Sequence, residues 1–156
     1  MKIWVDADAC PVVVKEILFR AATRWQIHVT LVANQMLRTT PSAWIRSIQV
    51  PQGFDVADHY IVTNTVSGDL VITGDIPLAA QVLEKGAYAM TPRGERFDAD
   101  SIAERLSMRA MLEQLRDAGV QTGGPAVFSQ TDRREFANAL DRLMMARVKR
   151  DANRQG

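Results

Sequence analysis

One cysteine, Cys10, stands in a chain of 156 residues. A lone thiol excludes an intrachain disulfide and fits a reducing compartment. His28 and His59 are the only histidines, and neither forms a zinc-ligand spacing with Cys10. No apolar run approaches the roughly 20 residues of a membrane span. The opening Met1-Lys2-Ile3-Trp4-Val5-Asp6 meets an acid too early for a secretory signal. A cytoplasmic protein with no membrane partner is the expectation. Net charge is nearly absent too, at +1 from 19 Lys and Arg against 18 Asp and Glu, so overall charge points to no partner. Internal repeats and low-complexity tracts are missing.

What is present is an ordinary globular composition, 47% hydrophobic and 24% charged. It suffices for one domain over residues 1–150, with a core in 1–90 and a helical extension in 98–150. Residues 151–156 read as a flexible polar tail. Residues 91–156 hold 12 basic and 10 acidic side chains, the basic ones mostly arginine. Solvated helix faces explain them without any ligand.

The first strand runs over Lys2 to Val5 and ends in Asp6-Ala7-Asp8. Pro11 fits the first turn of a helix reaching Trp25, with Asp8 or Cys10 near its cap. A buried strand follows over His28 to Ala33, then a polar loop over Asn34 to Pro41 and a short helical turn from Ser42. The third strand, Ile45 to Val50, is closed by Pro51 and Gly53. Asp55 to Asn64 reads as a helix with acids in its first turn, where they complement its dipole. Leu70 to Thr73 is the fourth strand. A helix over Ile76 to Lys85 is opened by Pro77 and stopped by Gly86. Ala87 to Met90 is the fifth strand, and Thr91-Pro92-Arg93-Gly94 a turn. Ser101 to Glu104 and Asp132 to Glu135 read as capping boxes, opening helices to about Gly119 and Lys149. Gly123-Gly124-Pro125 lies in a loop between them. Alternating strands and helices predict an α/β fold with a mainly parallel sheet.

In an open parallel sheet, ligands bind beyond the carboxyl ends of the strands. Asp6 and Asp8 follow the first strand there. Asp55 and Asp58 follow the third, at i and i+3 of a helix's first turn. Asp75 follows the fourth. Two such charges about 5 Å apart repel by roughly 3 kcal/mol at an effective dielectric near 20. Either one stays protonated or a cation sits among them. An oxygen-only donor set suits Mg²⁺ or Mn²⁺. Asp8 and Asp55 also fit as plain helix caps. Asp69, at the opposite edge, reads as a turn residue.

Several stretches together are specific. Asp6-Ala7-Asp8-Ala9-Cys10-Pro11, Gly53-Phe54-Asp55-Val56-Ala57-Asp58 and Asp69 through Ala80 resemble the YaiI/YqxD family. So do Val32-Ala33-Asn34-Gln35, Lys85-Gly86-Ala87, Pro92-Arg93-Gly94, Gly123-Gly124-Pro125 and Phe136 through Leu140. The resemblance spans nearly the whole chain, with Gly74 standing where many relatives have Ala. Members of that family are similar to PIN-like domains, a superfamily that includes Mg²⁺- or Mn²⁺-dependent nucleases. The resemblance implies a PIN-like three-layer sandwich with strand order 3-2-1-4-5 and two extra C-terminal helices. It implies Asp6, Asp58 and Asp75 as catalytic residues, with Asp8 and Asp55 as further metal ligands. RNA and a second copy of the chain are the partners it brings into view.

The expected chemistry is metal-assisted phosphodiester hydrolysis, with Arg38, Arg93 and Arg96 on loops near the site holding phosphates bidentately. A non-catalytic PIN-like module that binds RNA or protein is the alternative. A phosphatase of the haloacid-dehalogenase type would use Asp6 and Asp8 as nucleophile and general acid, but its later acid pair and lysine are missing. Trp44 with Arg38 and Arg46 offers a base-stacking platform. Cys10 lacks a nearby base in sequence and reads as a packing residue.

Overall fold

The computed structural model describes residues 1–120 and 127–155. Strands form where apolar residues run uninterrupted. β1 (Ile3–Asp6) is buried up to its terminal acid, and β2 (Val29–Ala33) is buried throughout, as befits strands covered on both faces. β3 (Ile45–Gln49) carries more polar residues and sits at one edge. β4 (Leu70–Ile72) is fully buried, and β5 (Tyr88–Met90) nearly so. A sixth strand, β6 (Arg96–Phe97), was not anticipated; it returns from the Thr91–Gly94 turn to pair antiparallel with β5. Among the described residues these form one sheet in the order β3-β2-β1-β4-β5-β6, parallel except for β6.

Five α-helices accompany the sheet among the described residues: α1 (Val12–Trp25), α2 (Val56–Asn64), α3 (Ile76–Glu84), α4 (Ala99–Asp117) and α5 (Gln130–Gln155). Adjacent residues of a strand face opposite ways. Ile3 and Val5 therefore join a core with α1 and α5, whose Leu18, Phe136 and Leu140 are buried there. Trp4 points to the other side and packs with Ile61 of α2 and Leu78 and Val82 of α3. α4 buries none of its side chains fully. No helix among the described residues is long and apolar enough to cross a membrane.

Several helix starts differ from expectation. Neither Asp8 nor Cys10 caps α1; Pro11 occupies the cap with no side-chain hydrogen bond, and Asp8 lies in a 3₁₀ turn, Ala7–Ala9, just upstream. α4 begins at Ala99, two residues before Ser101, because Asp98 is the cap and its Oδ1 accepts from Ser101 N at 2.8 Å. α5 begins at Gln130, since Ser129 is the cap and Asp132 its reciprocal partner. Asp132 N donates to Ser129 Oγ at 3.1 Å, and Ser129 N donates to Asp132 Oδ2 at 2.9 Å, the two bonds of a capping box. At Ser42 a single turn forms, in which Ile45 N donates to Ser42 O at 3.4 Å and the Ser42 hydroxyl accepts from Trp44 N at 3.0 Å. Residues 151–155, expected as a loose tail, continue α5; no Gly or Pro interrupts them, and Arg147 pairs with Asp151 one turn on. The Gly123-Gly124-Pro125 loop lies outside the described residues.

The chain moves outward from β1 through β2 to β3, then returns through α2 to β4 on the other side of β1. β1 and β4 therefore flank the point where strand order reverses, the usual place for a ligand crevice.

Candidate functional site

Asp6 ends β1, and Thr73-Gly74-Asp75 follows β4, its neighbour. Thr73 is buried and joins the two acids. Its hydroxyl donates to Asp6 Oδ2 at 3.0 Å and accepts from Asp75 N at 3.0 Å. Asp75 caps α3 through Oδ1, which accepts from Leu78 N at 3.1 Å; capping satisfies one amide of the first turn and leaves the other carboxylate oxygen available. Burial pushes the Asp6 carboxyl above its ordinary value; the Thr73 hydrogen bond works against this, and the charges of Asp75 and Asp8 add to it.

Asp58 approaches from the first turn of α2. Its pKa is raised to about 7, first by desolvation, then by the charges of Asp75 and Asp6, by a side-chain hydrogen bond with Asp75, and by the charge of Asp55. Asp58 therefore keeps its proton to near neutral pH, the expected result for a half-buried carboxyl among other acids. No Lys, Arg or His among the described residues forms an ion pair with Asp6, Asp8, Asp55, Asp58 or Asp75.

Asp55 is exposed and takes a left-handed φ of 61° at the start of α2, with no capping bond from its side chain. Asp8 is exposed and is used locally: its Oδ2 accepts from Asn34 N at 2.9 Å, tying the loop after β1 to the loop after β2. The fold thus brings Asp6, Asp58 and Asp75 together, with Asp55 near Asp58 and Asp8 near Asp6. Yet no group of three or more His, Cys, Asp or Glu among the described residues lies in an arrangement that could hold a metal ion.

A cleft of about 510 Å³ opens on the Asp58–Asp75 side, lined also by Phe54, Asp55, His59 and Arg109. Phe54 is 96% exposed. Arg109 reaches the cleft from α4 and pairs with Glu113 at 3.4 Å, also in its wall. Nothing in the sequence separated Arg109 from its neighbours on an arginine-rich helix, and the position of α4 over α3 had to be known first.

The three arginines expected around phosphate are placed elsewhere. Arg93 pairs with Asp132 at 2.9 Å. The Arg96 guanidinium lies 5.5 Å from the centre of the Tyr88 ring. Arg38 is exposed on the loop after β2, outside the wall of the acidic cleft. Trp44 is half-buried against the core, its ring 4.9 Å from that of His28, so it offers no open stacking platform. Cys10 is buried, and desolvation pushes its thiol up to about 12, which removes it as a nucleophile.

Asp69 is more than a turn residue. It is buried, and its carboxylate accepts from Lys2 N at 2.9 Å, Trp4 Nε1 at 3.0 Å and Val66 N at 3.1 Å. It fastens the turn before β4 to β1 at the edge opposite the acids.

No solved structure matches the chain. A UPF0178 protein of Bordetella petrii is 75% identical over 146 residues, covering 94% of this chain and 97% of the relative. One from Bordetella avium is 70% identical over 144 residues, covering 92% and 94%. One from Dechloromonas aromatica is 65% identical over 144 residues, covering 92% and 96%. Residues 4–146 match the family described as "Uncharacterized BCR, YaiI/YqxD family", and to that family the chain belongs.

Proposed function

We propose that the chain is a PIN-like, Mg²⁺- or Mn²⁺-dependent phosphodiesterase acting on RNA at the Asp6–Asp58–Asp75 edge. One observation carries this reading. Three carboxyls from β1, α2 and the β4–α3 junction lie close enough to interact, and no basic side chain among the described residues forms an ion pair with them. The proton held at Asp58 occupies the place a cation would take. The all-oxygen donor set fits Mg²⁺, which is commonly held by one or two carboxylates plus water and substrate phosphate. It does not fit a closed cage of three protein ligands. Asp58 and Asp75 are the residues that would hold the ion, with Asp6 at its flank.

A bound ion there would polarise a phosphate oxygen and acidify its water. The chain's own residues supply the rest. Thr73 holds Asp6 at a fixed distance from Asp75. Asp58, whose pKa is raised to about 7 by burial and by its acidic neighbours, would give up its proton when the ion binds, because a ligating carboxylate must be ionised. Arg109 lines the same cleft as Asp58 and Asp75 and would meet a non-bridging oxygen, the role expected of Arg38, Arg93 and Arg96. Phe54 presents an exposed ring at the mouth, a surface on which a base can stack.

The test is cleavage of single-stranded RNA by purified protein with Mn²⁺. Activity lost in both Asp6→Asn and Asp75→Asn supports the reading, and activity retained in either identifies a contaminant. A non-catalytic RNA-binding module is the second reading, favoured by the lack of a three-ligand group. RNA retention with no turnover in any divalent ion would select it.

A further inference from the structure

We propose a second ligand site at the opposite edge of the sheet, an arginine cleft around Tyr88 that binds phosphate groups. The cleft has a volume of about 380 Å³ and is lined by Ser67, Gly68, Gly86, Tyr88 and, from α5, Arg147, Arg150 and Arg154. These arginines recur at i, i+3 and i+7, a spacing that keeps them on one helix face. Arg96 of β6 does not line the cleft but reaches the Tyr88 ring from another part of the chain. Its guanidinium lies 5.5 Å from the Tyr88 ring centre, and that of Arg150 lies 5.6 Å from the same centre. Arg150 Nη1 also donates to the Tyr88 hydroxyl at 2.5 Å.

Two guanidiniums thus stand over one phenol ring, and two more line the cleft beside it. Asp151 offsets one of them, pairing with Arg147 at 3.8 Å. Arg96, Arg150 and Arg154 have no carboxylate within ion-pair distance among the described residues. The end of a helix favours cations through its dipole, which accounts for arginines late in α5. It does not account for Arg96, which a separate strand brings to the same ring. Cation–π contact with Tyr88 holds two of the guanidiniums in place, leaving planar donor edges for an oxyanion. Arginine forks match phosphate geometry bidentately. The polar, concave wall suits a phosphate group, presented either free or on a nucleic-acid backbone.

This site is independent of the acidic edge, so it is tested without divalent ions, in EDTA. Calorimetric titration at low ionic strength would use inorganic phosphate, pyrophosphate and a single-stranded RNA oligonucleotide in turn. The variants are Arg150→Met and Arg154→Met, each checked for an unchanged circular dichroism spectrum. Arg154 lies in the last turn of α5, so its loss spares the fold if the Arg150 variant does not. Binding of phosphate or pyrophosphate, weakened about tenfold in either variant, supports a site for a small phosphate ligand. Binding of RNA alone, with a salt slope reduced by about 1 per arginine removed, supports a backbone site. No binding of any of the three, or binding unchanged in both variants, overturns the proposal.

Discussion

The hydroxyl of Thr73 donates to Asp6 Oδ2 at 3.0 Å while accepting the backbone N–H of Asp75 at 3.0 Å. One buried oxygen therefore sets the spacing of two acids on neighbouring strands. Thr73→Val keeps the shape but removes both bonds, at an expected cost of about 1–3 kcal/mol. The Asp6 carboxyl also loses the bond that lowers its pKa and should titrate higher. Thermal unfolding would show the stability loss, and carboxyl NMR the shift. Thr73→Ser, which restores the hydroxyl, should recover most of both.

The raised pKa of Asp58 has a definite consequence for stability. Its folded value is about 7 against a reference of 3.8, so the native state binds the proton more tightly than the unfolded chain. That contribution is fully present below the unfolded pKa, near 4, and is lost as pH rises through about 7. Asp6 is shifted in the same direction. Asp98 and Asp132 are shifted downward, so their contributions are lost only as pH falls below the ordinary carboxylate range. Asp58→Asn mimics the protonated carboxyl and should flatten stability between pH 5 and pH 8. Urea unfolding midpoints at the two pH values check this; an equal drop in wild type and variant would contradict it.

Asp69 should matter to the fold and not to the chemistry. Asp69→Ala leaves three donors without their acceptor, the buried indole N–H of Trp4 and the part-buried amides of Lys2 and Val66. A loss of about 3 kcal/mol or more is expected, from the cost of leaving such groups unpaired. Trp4 fluorescence during denaturant unfolding reports it directly.

Gly94 has a φ of 88°, and a Cβ there would lie 2.6 Å from the carbonyl oxygen of Glu135 in α5. The turn after β5 therefore packs backbone to backbone on α5, beside the Arg93–Asp132 pair. Gly94→Ala meets both a left-handed backbone and a clash with a rigid helix. An expected loss of about 2–3 kcal/mol should appear in thermal unfolding.

Asp6 and Asp75 were legible because each follows an apolar run that reads as a buried strand, and a strand's end locates whatever comes next. Val5 to Asp6 and Ile72 to Asp75 are the clearest cases. Helix starts were less legible where signals overlap. Asp98 and Ser101 both carry capping side chains, and Asp98, directly after β6, takes the cap. Ser129 and Asp132 posed the same ambiguity at α5. β6, two residues long, carries no period to read. The arginines were least legible of all. Arg93, Arg96 and Arg109 differ only in what the fold places beside them: Asp132, Tyr88 and the acidic cleft.

The most direct measurement is calorimetric titration of the protein with Mn²⁺ at pH 7, repeated in buffers of different ionisation enthalpy. Binding is expected in wild type, with release of the proton held at Asp58, and it should be abolished or strongly weakened in Asp75→Asn. No Mn²⁺ binding, or binding that neither releases a proton nor responds to loss of Asp75, would contradict a metal site among these carboxyls.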